Sequence, residues 1–301
     1  MKLVISASPH IDSGATTRKI MGDVLIALCP ALIAAIVIFG WRALLVTAVC
    51  AAACVFFEWG FERLCHKEST IGDLSAVVTG VILAYNLPVS IPLWQAVFGA
   101  LVAMVAVKGL FGGLGKNFAN PAIVARIVLF LAFSSSMTAW VYPDAVSSAT
   151  PLAMLAKGEH VDYLTLLLGH HGGCIGETCA LALLLGFAYL LIRRVVTWQT
   201  PVCFVGTVFL LSLILGQDAL AQVLSGGLLL GAIFMATDYS TSPCTAWGKV
   251  LFGIGAGLLT CLIRFYGSYA EGVSFAILFM NILTPYLSRW TQSKPLGGAK
   301  A

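Results

Sequence analysis

Apolar runs separated by short polar gaps recur along the whole chain. Each spans most of the roughly 20 residues that a helix needs to cross the hydrocarbon core of a membrane. In lipid such runs must be helical, because their backbone groups have no water to bond. The pattern therefore predicts about ten transmembrane helices, the third and seventh of them short, near 22–40, 43–64, 72–87, 93–111, 120–137, 176–192, 201–216, 219–237, 247–265 and 272–288.

The basic residues predict the orientation of these helices, because Lys and Arg in short loops are retained on the cytoplasmic side. If the N-terminus lies inside, only Arg42, Lys157 and Arg264 fall outside, and Arg126 lies within a span. Both termini are therefore predicted to be cytoplasmic. The residues that fall inside are Lys2, Arg18, Lys19, Arg63, Lys67, Lys108, Lys116, Arg193, Arg194, Lys249, Arg289, Lys294 and Lys300.

This topology divides the chain into a cytoplasmic N-terminal segment, two membrane halves, an outward loop between them and a cytoplasmic tail. The short apolar stretch after Lys2 does not resemble a removable signal peptide, so the first span is expected to remain in the protein. The predicted parts are 1–21, 22–137, 138–175 for the outward loop, 176–290 and 291–301.

Composition supports an all-α integral membrane protein, since 59% of the residues are hydrophobic and 10% are charged. The net charge of +4 is explained by topology, and no basic surface interleaved with aromatic residues suggests nucleic acid. The nine cysteines form no C-x-x-C pair, and most are interpreted as small buried hydrophobes. For Cys174 and Cys179, which flank the sixth span on the outer side, a disulfide or a partner contact is the alternative.

The outward loop contains a short run of small and hydroxyl residues headed by an acid, DAVSSAT at 144–150. It resembles the flavinylation signature of bacterial membrane redox subunits, in which a flavin transferase links FMN to the last threonine. The segment SGAT at 13–16 is similar, but the residue six positions before Thr16 is His10, whereas the residue six positions before Thr150 is Asp144. The segment at 13–16 also lies on the predicted inner side. Thr16 is therefore interpreted as part of a polar tail or as a helix cap, whereas an ordinary Ser/Thr turn is the alternative for Thr150.

Further segments resemble the family of the D subunit of the Rnf ferredoxin:NAD oxidoreductase and the B subunit of the sodium-translocating NADH:quinone reductase. They are SPH at 8–10, GGLGKNFANPAIVAR at 112–126, GETCALALLLG at 176–186, FMATDYSTSP at 234–243 and YAEGVSFAILFMNILTPYLSR at 269–289.

The resemblance implies a helical fold akin to urea transporters in the bacterial cytoplasmic membrane, with covalent FMN on Thr150 at the outer face. The motif residues Asp144, Ser147, Ser148 and Ala149 would be recognised by the transferase. A five-plus-five inverted repeat agrees with the division of the spans by the outward loop. The likeness of Ile71-Gly72-Asp73 to Ile175-Gly176-Glu177 pairs the third span with the sixth, which such a repeat does not require.

The glycine-rich segment at 112–126 combines close backbone approach with a cation and two amides. By resemblance, a second, non-covalent flavin (riboflavin or FMN) or an inner gate would lie at Lys116, Asn117 and Asn120. A tight cytoplasmic turn is the alternative. Arg126, the most deeply placed cation, is expected to pair with a carboxylate or with a flavin phosphate.

Carboxylates within spans are costly and are therefore candidates for an ion path, here Asp238, Asp73 and Glu177 in that order. Capping of a helix end is the alternative for each. Glu58 and Glu62, one turn apart beside Arg63, are predicted instead to form an interfacial face.

The sequence thus predicts an electron-carrying membrane subunit of an ion-translocating complex. It has no nicotinamide-binding glycine fingerprint and no iron-sulfur cysteine pattern, so partner subunits would supply both. A solute channel of the urea-transporter type and a passive scaffold are the alternatives, but neither explains the motif ending at Thr150.

Overall fold

The computed structural model describes residues 15–140, 150–159, 161–267 and 272–292. Within these ranges the regular structure is helical, apart from one isolated antiparallel bridge between Pro88 and Cys174. The helices are α1 (Thr17–Phe39), α2 (Trp41–Leu64), α3 (Ser75–Tyr85), α4 (Leu93–Leu101, continued as the π-helical segment Val102–Gly109), α5 (Pro121–Ala132), α6 (Ser134–Met137), α7 (Pro151–Ala156), α8 (Tyr163–Leu168), α9 (Ala180–Ile192), α10 (Gln199–Ile214), α11 (Ala219–Leu224), α12 (Leu228–Leu230, continued as the π-helical segment Gly231–Met235), α13 (Ala246–Tyr266) and α14 (Val273–Trp290); a 3₁₀ turn, Ile71–Asp73, precedes α3.

Helix lies in each of the ten predicted segments, but the lengths differ from the prediction. Three described helices, α1, α2 and α13, are long and apolar enough to cross a membrane by length and composition. Helix α1 begins at Thr17, inside the predicted cytoplasmic segment 1–21, because the Thr16 hydroxyl caps it by accepting from the Lys19 amide at 3.3 Å. The predicted outward loop contains the short helices α7 and α8.

The predicted eighth span is not one helix. It breaks at 225–227 between α11 and α12, where Gly226 has a φ of +67°. A Cβ at Gly226 would lie 2.6 Å from Leu152 Cδ1, so this backbone passes close to α7. The interruption follows from two glycines in succession, which favour conformations that end a helix.

A second irregular stretch follows α3 and pairs with the segment that precedes α9. The amides of Ile175 and Gly176 donate to the carbonyls of Leu87 and Tyr85, both at 3.0 Å. A Cβ on Gly176 would lie 2.3 Å from Tyr85 Cβ, so the approach requires glycine. Irregular backbone inside a membrane protein is tolerated where its polar groups are paired within the protein, as they are here.

Small residues bring the long helices together. Helix α13 packs on α10 through Gly253 and Gly257, whose Cβ positions would lie 2.8 Å from the Thr200 carbonyl oxygen and 2.7 Å from Thr207 Cβ. Such close approach is how helices gain packing energy in lipid, where apolar burial alone gives no advantage. Large apolar side chains point outward around the structure, among them Val37, Ile192 and Ile214, as expected of a surface in contact with lipid.

Candidate cofactor and ion sites

Thr150 is the N-cap of α7. Its Oγ1 accepts from the Ala153 amide at 3.3 Å, and Pro151 occupies the first helical position, where a missing N–H costs nothing. Thr16 has the same capping geometry at α1, so its predicted role as a helix cap is confirmed. The other motif residues, Asp144, Ser147, Ser148 and Ala149, lie outside the described residues.

A cavity of about 750 Å³ lies between α1, α3, α4, α9 and the π-helical end of α12, on the predicted cytoplasmic side. Its lining includes Asn117, Asn120 and Asp238, so the fold brings together residues that are far apart in the sequence. Lys116 and Arg126 do not line it; Lys116 is exposed and folds back over Gly112. This volume includes the open solvent at the mouth of the cavity.

The two asparagines of this cavity differ in what they bind. Asn120 caps α5 by accepting from the Ala122 amide at 3.0 Å, and its Nδ2 donates to the Met235 carbonyl at 3.4 Å. Asn117 is buried, and its Oδ1 has no hydrogen-bond partner within the described part of the chain. A buried acceptor without a partner is costly, so Asn117 is the better candidate for contact with a bound molecule.

Asp238 lies at the wall of the same cavity, three residues beyond the π-helical segment. Its Oδ2 accepts from the hydroxyls of Ser240 at 2.9 Å and Thr241 at 3.0 Å. Two of the three hydroxyls predicted to surround Asp238 therefore do so. Ser242 instead donates its amide to the Asp238 carbonyl at 3.0 Å.

Arg126 and Glu177 meet at the break between α11 and α12. The Arg126 guanidinium donates to Asn86 Oδ1 at 3.2 Å and to Ser274 Oγ at 2.7 Å, and it is buried. Glu177 Oε1 accepts from the Cys174 amide at 2.9 Å. The Cβ position of Gly227 lies 3.0 Å from Glu177 Oε2 and 3.6 Å from an Arg126 nitrogen, so a side chain at position 227 would require the Glu177 carboxylate to shift by a few tenths of an ångström.

The segment that precedes α9 contains Cys174, Cys179 and His171. The Cys174 and Cys179 thiols donate to the carbonyls of Asn86 and Leu167 at 3.4 and 3.7 Å and are not joined to each other, so the disulfide alternative is wrong. His171 is buried, and burial lowers the pKa of its imidazole.

Glu58 and Glu62 do not form an interfacial face, contrary to the prediction. Both are buried, and Glu58 Oε1 forms an ion pair with Lys108, which is itself buried on the π-helical part of α4. The Thr70 hydroxyl donates to Glu62 Oε1 at 2.5 Å and approaches Glu58 Oε1 at 3.3 Å. In the sequence, two charges one turn apart suggested a solvated helix face. Their partners, Thr70 and Lys108, instead lie about 10 and 50 residues further along the chain.

This ion pair extends to the predicted residue Asp73. Lys108 Nζ donates to Ser75 Oγ at 2.5 Å, and Ser75 donates its hydroxyl and its amide to Asp73 Oδ1 at 2.6 and 2.7 Å. Asp73 thus holds the start of α3, as its capping alternative predicts. Glu58 and Glu62 each keep one oxygen without a hydrogen-bond partner among the described residues. Lys108 and Ser75 also line the cavity that contains Asp238.

Comparison with known proteins gives matches over nearly the whole chain. The model of the NQR2, RnfD, RnfE family matches residues 4–297. The D subunit of the Na(+)-translocating ferredoxin:NAD(+) oxidoreductase complex of Acetobacterium woodii is 45% identical, over 100% of this chain and 97% of the relative. The proton-translocating counterpart of Clostridium ljungdahlii is 38% identical, over 97% and 96%, and the D subunit of the ion-translocating oxidoreductase complex of Halorhodospira halophila is 34% identical, over 97% and 94%.

Proposed function

The chain belongs to the NQR2, RnfD, RnfE family, and we propose that it is the D subunit of an ion-translocating ferredoxin:NAD oxidoreductase complex in the bacterial cytoplasmic membrane. The full-length match to relatives of that name is the observation that supports this role best. Iron-sulfur and NAD-binding partner subunits would deliver and accept the electrons. The comparisons give no support to the alternative of a urea-transporter-like solute channel without a redox role.

The cofactor proposed for this subunit is FMN, joined by a phosphoester to Thr150 by a flavin transferase. When bound, FMN supplies the capacity to accept and pass on electrons. Thr150 is suited to the link because its hydroxyl lies at a helix start and is half-buried rather than enclosed. Attachment would keep the cofactor at the outer face, where a dissociated flavin would be lost by dilution.

The proposed topology has ten membrane crossings in a urea-transporter-like fold with a five-plus-five inverted repeat. Both termini are inside, and the loop that contains Thr150 is outside. The distribution of basic residues supports this orientation.

Labelling of single cysteines is expected to report this orientation. In a chain whose exposed cysteines Cys29, Cys65 and Cys244 are replaced by serine, Glu159→Cys should react with a membrane-impermeant maleimide in intact cells. Thr197→Cys, equally exposed but predicted inside, should react only after the membrane is opened. The opposite labelling pattern would contradict the topology and place Thr150 on the wrong side for the proposed modification.

A second, non-covalent flavin is proposed for the cytoplasmic-side cavity. The unpartnered acceptor of Asn117 would receive a hydrogen bond from the flavin, and Asn120 would hold α5 in place beside it. Asn117→Leu should then reduce the flavin that is released by denaturation at least tenfold, without changing the covalent flavin. Lys116→Gln is the matched control, because Lys116 is exposed and does not line the cavity. Equal loss in both variants, or loss in neither, would argue against this site.

The proposed ion path begins at Asp238 and includes Asp73 and Glu177. We add the Glu58–Lys108 pair to it, because Lys108 lines the same cavity as Asp238. Carboxylates and hydroxyls suit either a proton or a hard cation such as sodium. The relatives are named for both ions, so the family does not fix the choice.

Asp238→Asn retains the shape of the side chain and removes its charge. If Asp238 serves the ion path, a complex with this substitution should retain covalent FMN and electron transfer, but lose ion transport into vesicles or its dependence on sodium. Ser242→Ala is a suitable control, because the Ser242 hydroxyl is not among the contacts of Asp238. Unchanged ion transport in the Asp238 variant would identify this residue as a helix-end cap.

A further inference from the structure

A groove of about 1230 Å³ begins beside Thr150 on the predicted outer side. One face of α7 forms its first wall, through Leu152, Ala153, Ala156 and Lys157. Ala153 is also the residue whose amide donates to the Thr150 hydroxyl, so the groove starts within hydrogen-bond distance of the atom proposed to be modified. This volume includes the open solvent along the mouth of the groove.

The opposite wall comes from three elements that end on the same side of the membrane. They are the end of α10 with Gln217, helix α11 with Gln222, and the last turn of α13 with Arg264 and Tyr266. Lys157 and Arg264 are predicted to lie outside, whereas most other basic residues are predicted inside. Both of these outer cations therefore lie at this groove.

Arg264 is held in a fixed position in this wall. Its NH1 donates to the Gln222 carbonyl at 2.7 Å, and its NH2 donates to the Ser225 carbonyl at 3.2 Å. The Cβ position of Gly226 would lie 3.1 Å from Arg264 NH2 and 2.6 Å from Leu152, so α7, the helix break and α13 are packed against one another. The groove is thus built by packed elements and does not depend on the conformation of one side chain.

The side chains that line the groove match the chemistry of a flavin mononucleotide. The cations of Lys157 and Arg264 suit the negative phosphoester, the amides of Gln217 and Gln222 suit the polar edge of the ring system, and the Tyr266 ring offers a stacking surface. On the proposed function, we infer that the flavin ring of FMN on Thr150 lies in this groove between α7 and the end of α13, with Lys157 and Arg264 beside it.

Two consequences distinguish this arrangement from a flavin that hangs free in solvent. A ring in the groove is shielded from collisions with solutes. In addition, a reduced flavin gains negative charge, so neighbouring cations stabilise it and raise its reduction potential.

Shielding can be measured by iodide quenching of flavin fluorescence in the full-length, flavinylated chain. We expect the quenching constant of the folded wild type to be several-fold lower than that of the denatured chain. Ala156→Phe fills the groove without altering the motif and should raise the constant toward the denatured value. Leu164→Phe, at an exposed position of α8 outside the groove, should not. Equal quenching of folded and denatured wild type would overturn the inference.

The electrostatic consequence is tested by redox titration of the covalent flavin. Lys157→Gln and Arg264→Gln should each shift the oxidised-to-reduced ratio at fixed potential by about tenfold, or about 30 mV for a two-electron couple, toward the oxidised form. Lys157 is exposed, so its variant should fold even if the Arg264 variant does not. Potentials unchanged in the Lys157 variant and in any folded Arg264 variant would overturn the inference. The proposed function would stand in that case, because it is tested separately by whether the wild type carries covalent flavin on Thr150.

Discussion

Thr150→Val will remove all covalent flavin from the chain and will reduce electron transfer through the complex to background. Valine has nearly the same shape as threonine but has no hydroxyl to form the phosphoester. The substitution also removes the cap of α7, which costs about 0.5–2 kcal/mol. Because α7 has only six residues and is packed against the helix break at Gly226, we expect the protein to insert and fold.

Thr16→Val provides the matched control for this experiment. Thr16 caps α1 with the same hydrogen-bond geometry and follows the same Ser-x-Ala sequence pattern, but it lacks an acid six residues before it. Its variant should lose the same capping energy and keep all its flavin. In-gel fluorescence and electron-transfer rates of the two variants, together with Thr150→Ser, which retains a hydroxyl, separate loss of the acceptor from loss of a cap. Flavin retained in Thr150→Val, or lost in Thr16→Val, would contradict the assignment.

Lys108→Met is expected to give the largest loss of stability of the substitutions considered. Lys108 is the cation that faces Glu58, and its ammonium also donates to Ser75. Removing one partner of a buried ion pair leaves the other charge uncompensated, which costs about 3–5 kcal/mol. Unfolding of the detergent-solubilised protein by increasing SDS, followed by tryptophan fluorescence, measures this loss.

Two further variants distinguish a buried pair from a surface lysine. The double variant Glu58→Met with Lys108→Met should recover most of the lost stability, because replacing both charges by apolar groups is often neutral. Lys67→Met, which removes an exposed lysine on the same side, should cost less than about 1 kcal/mol. If Lys108→Met costs no more than Lys67→Met, then Glu58 is solvated, as its interfacial interpretation would require.

Patterns within short stretches of the sequence predicted the features that are set by neighbouring residues. Apolar runs located the helical segments, and the capping role offered for Thr16 is confirmed. The same capping geometry at Thr150 was not predicted. Contacts between distant segments could not be predicted in this way. Glu58 contacts Thr70 and Lys108, and Asn117 and Asp238 line the same cavity. Only the packing of the helices brings these distant residues together.

The eighth span illustrates a different limit of the sequence pattern. Hydropathy treats 219–237 as one apolar run, because Gly226 and Gly227 hardly change the average. Their effect is conformational, since Gly226 adopts a positive φ and Gly227 leaves room for Glu177 and Arg126. Adjacent glycines within an apolar run are the signal that could have predicted the break.

Peptide mass spectrometry of the denatured, trypsin-digested chain shows directly whether Thr150 carries FMN. Cleavage after Arg126 and Lys157 releases residues 127–157, which contain Thr150, and cleavage after Lys2 and Arg18 releases residues 3–18, which contain Thr16. We expect peptide 127–157 to carry the mass of FMN less one water, fragmentation to assign this mass to Thr150, and peptide 3–18 to be unmodified. An unmodified peptide 127–157 from a chain purified with its native complex would contradict this expectation.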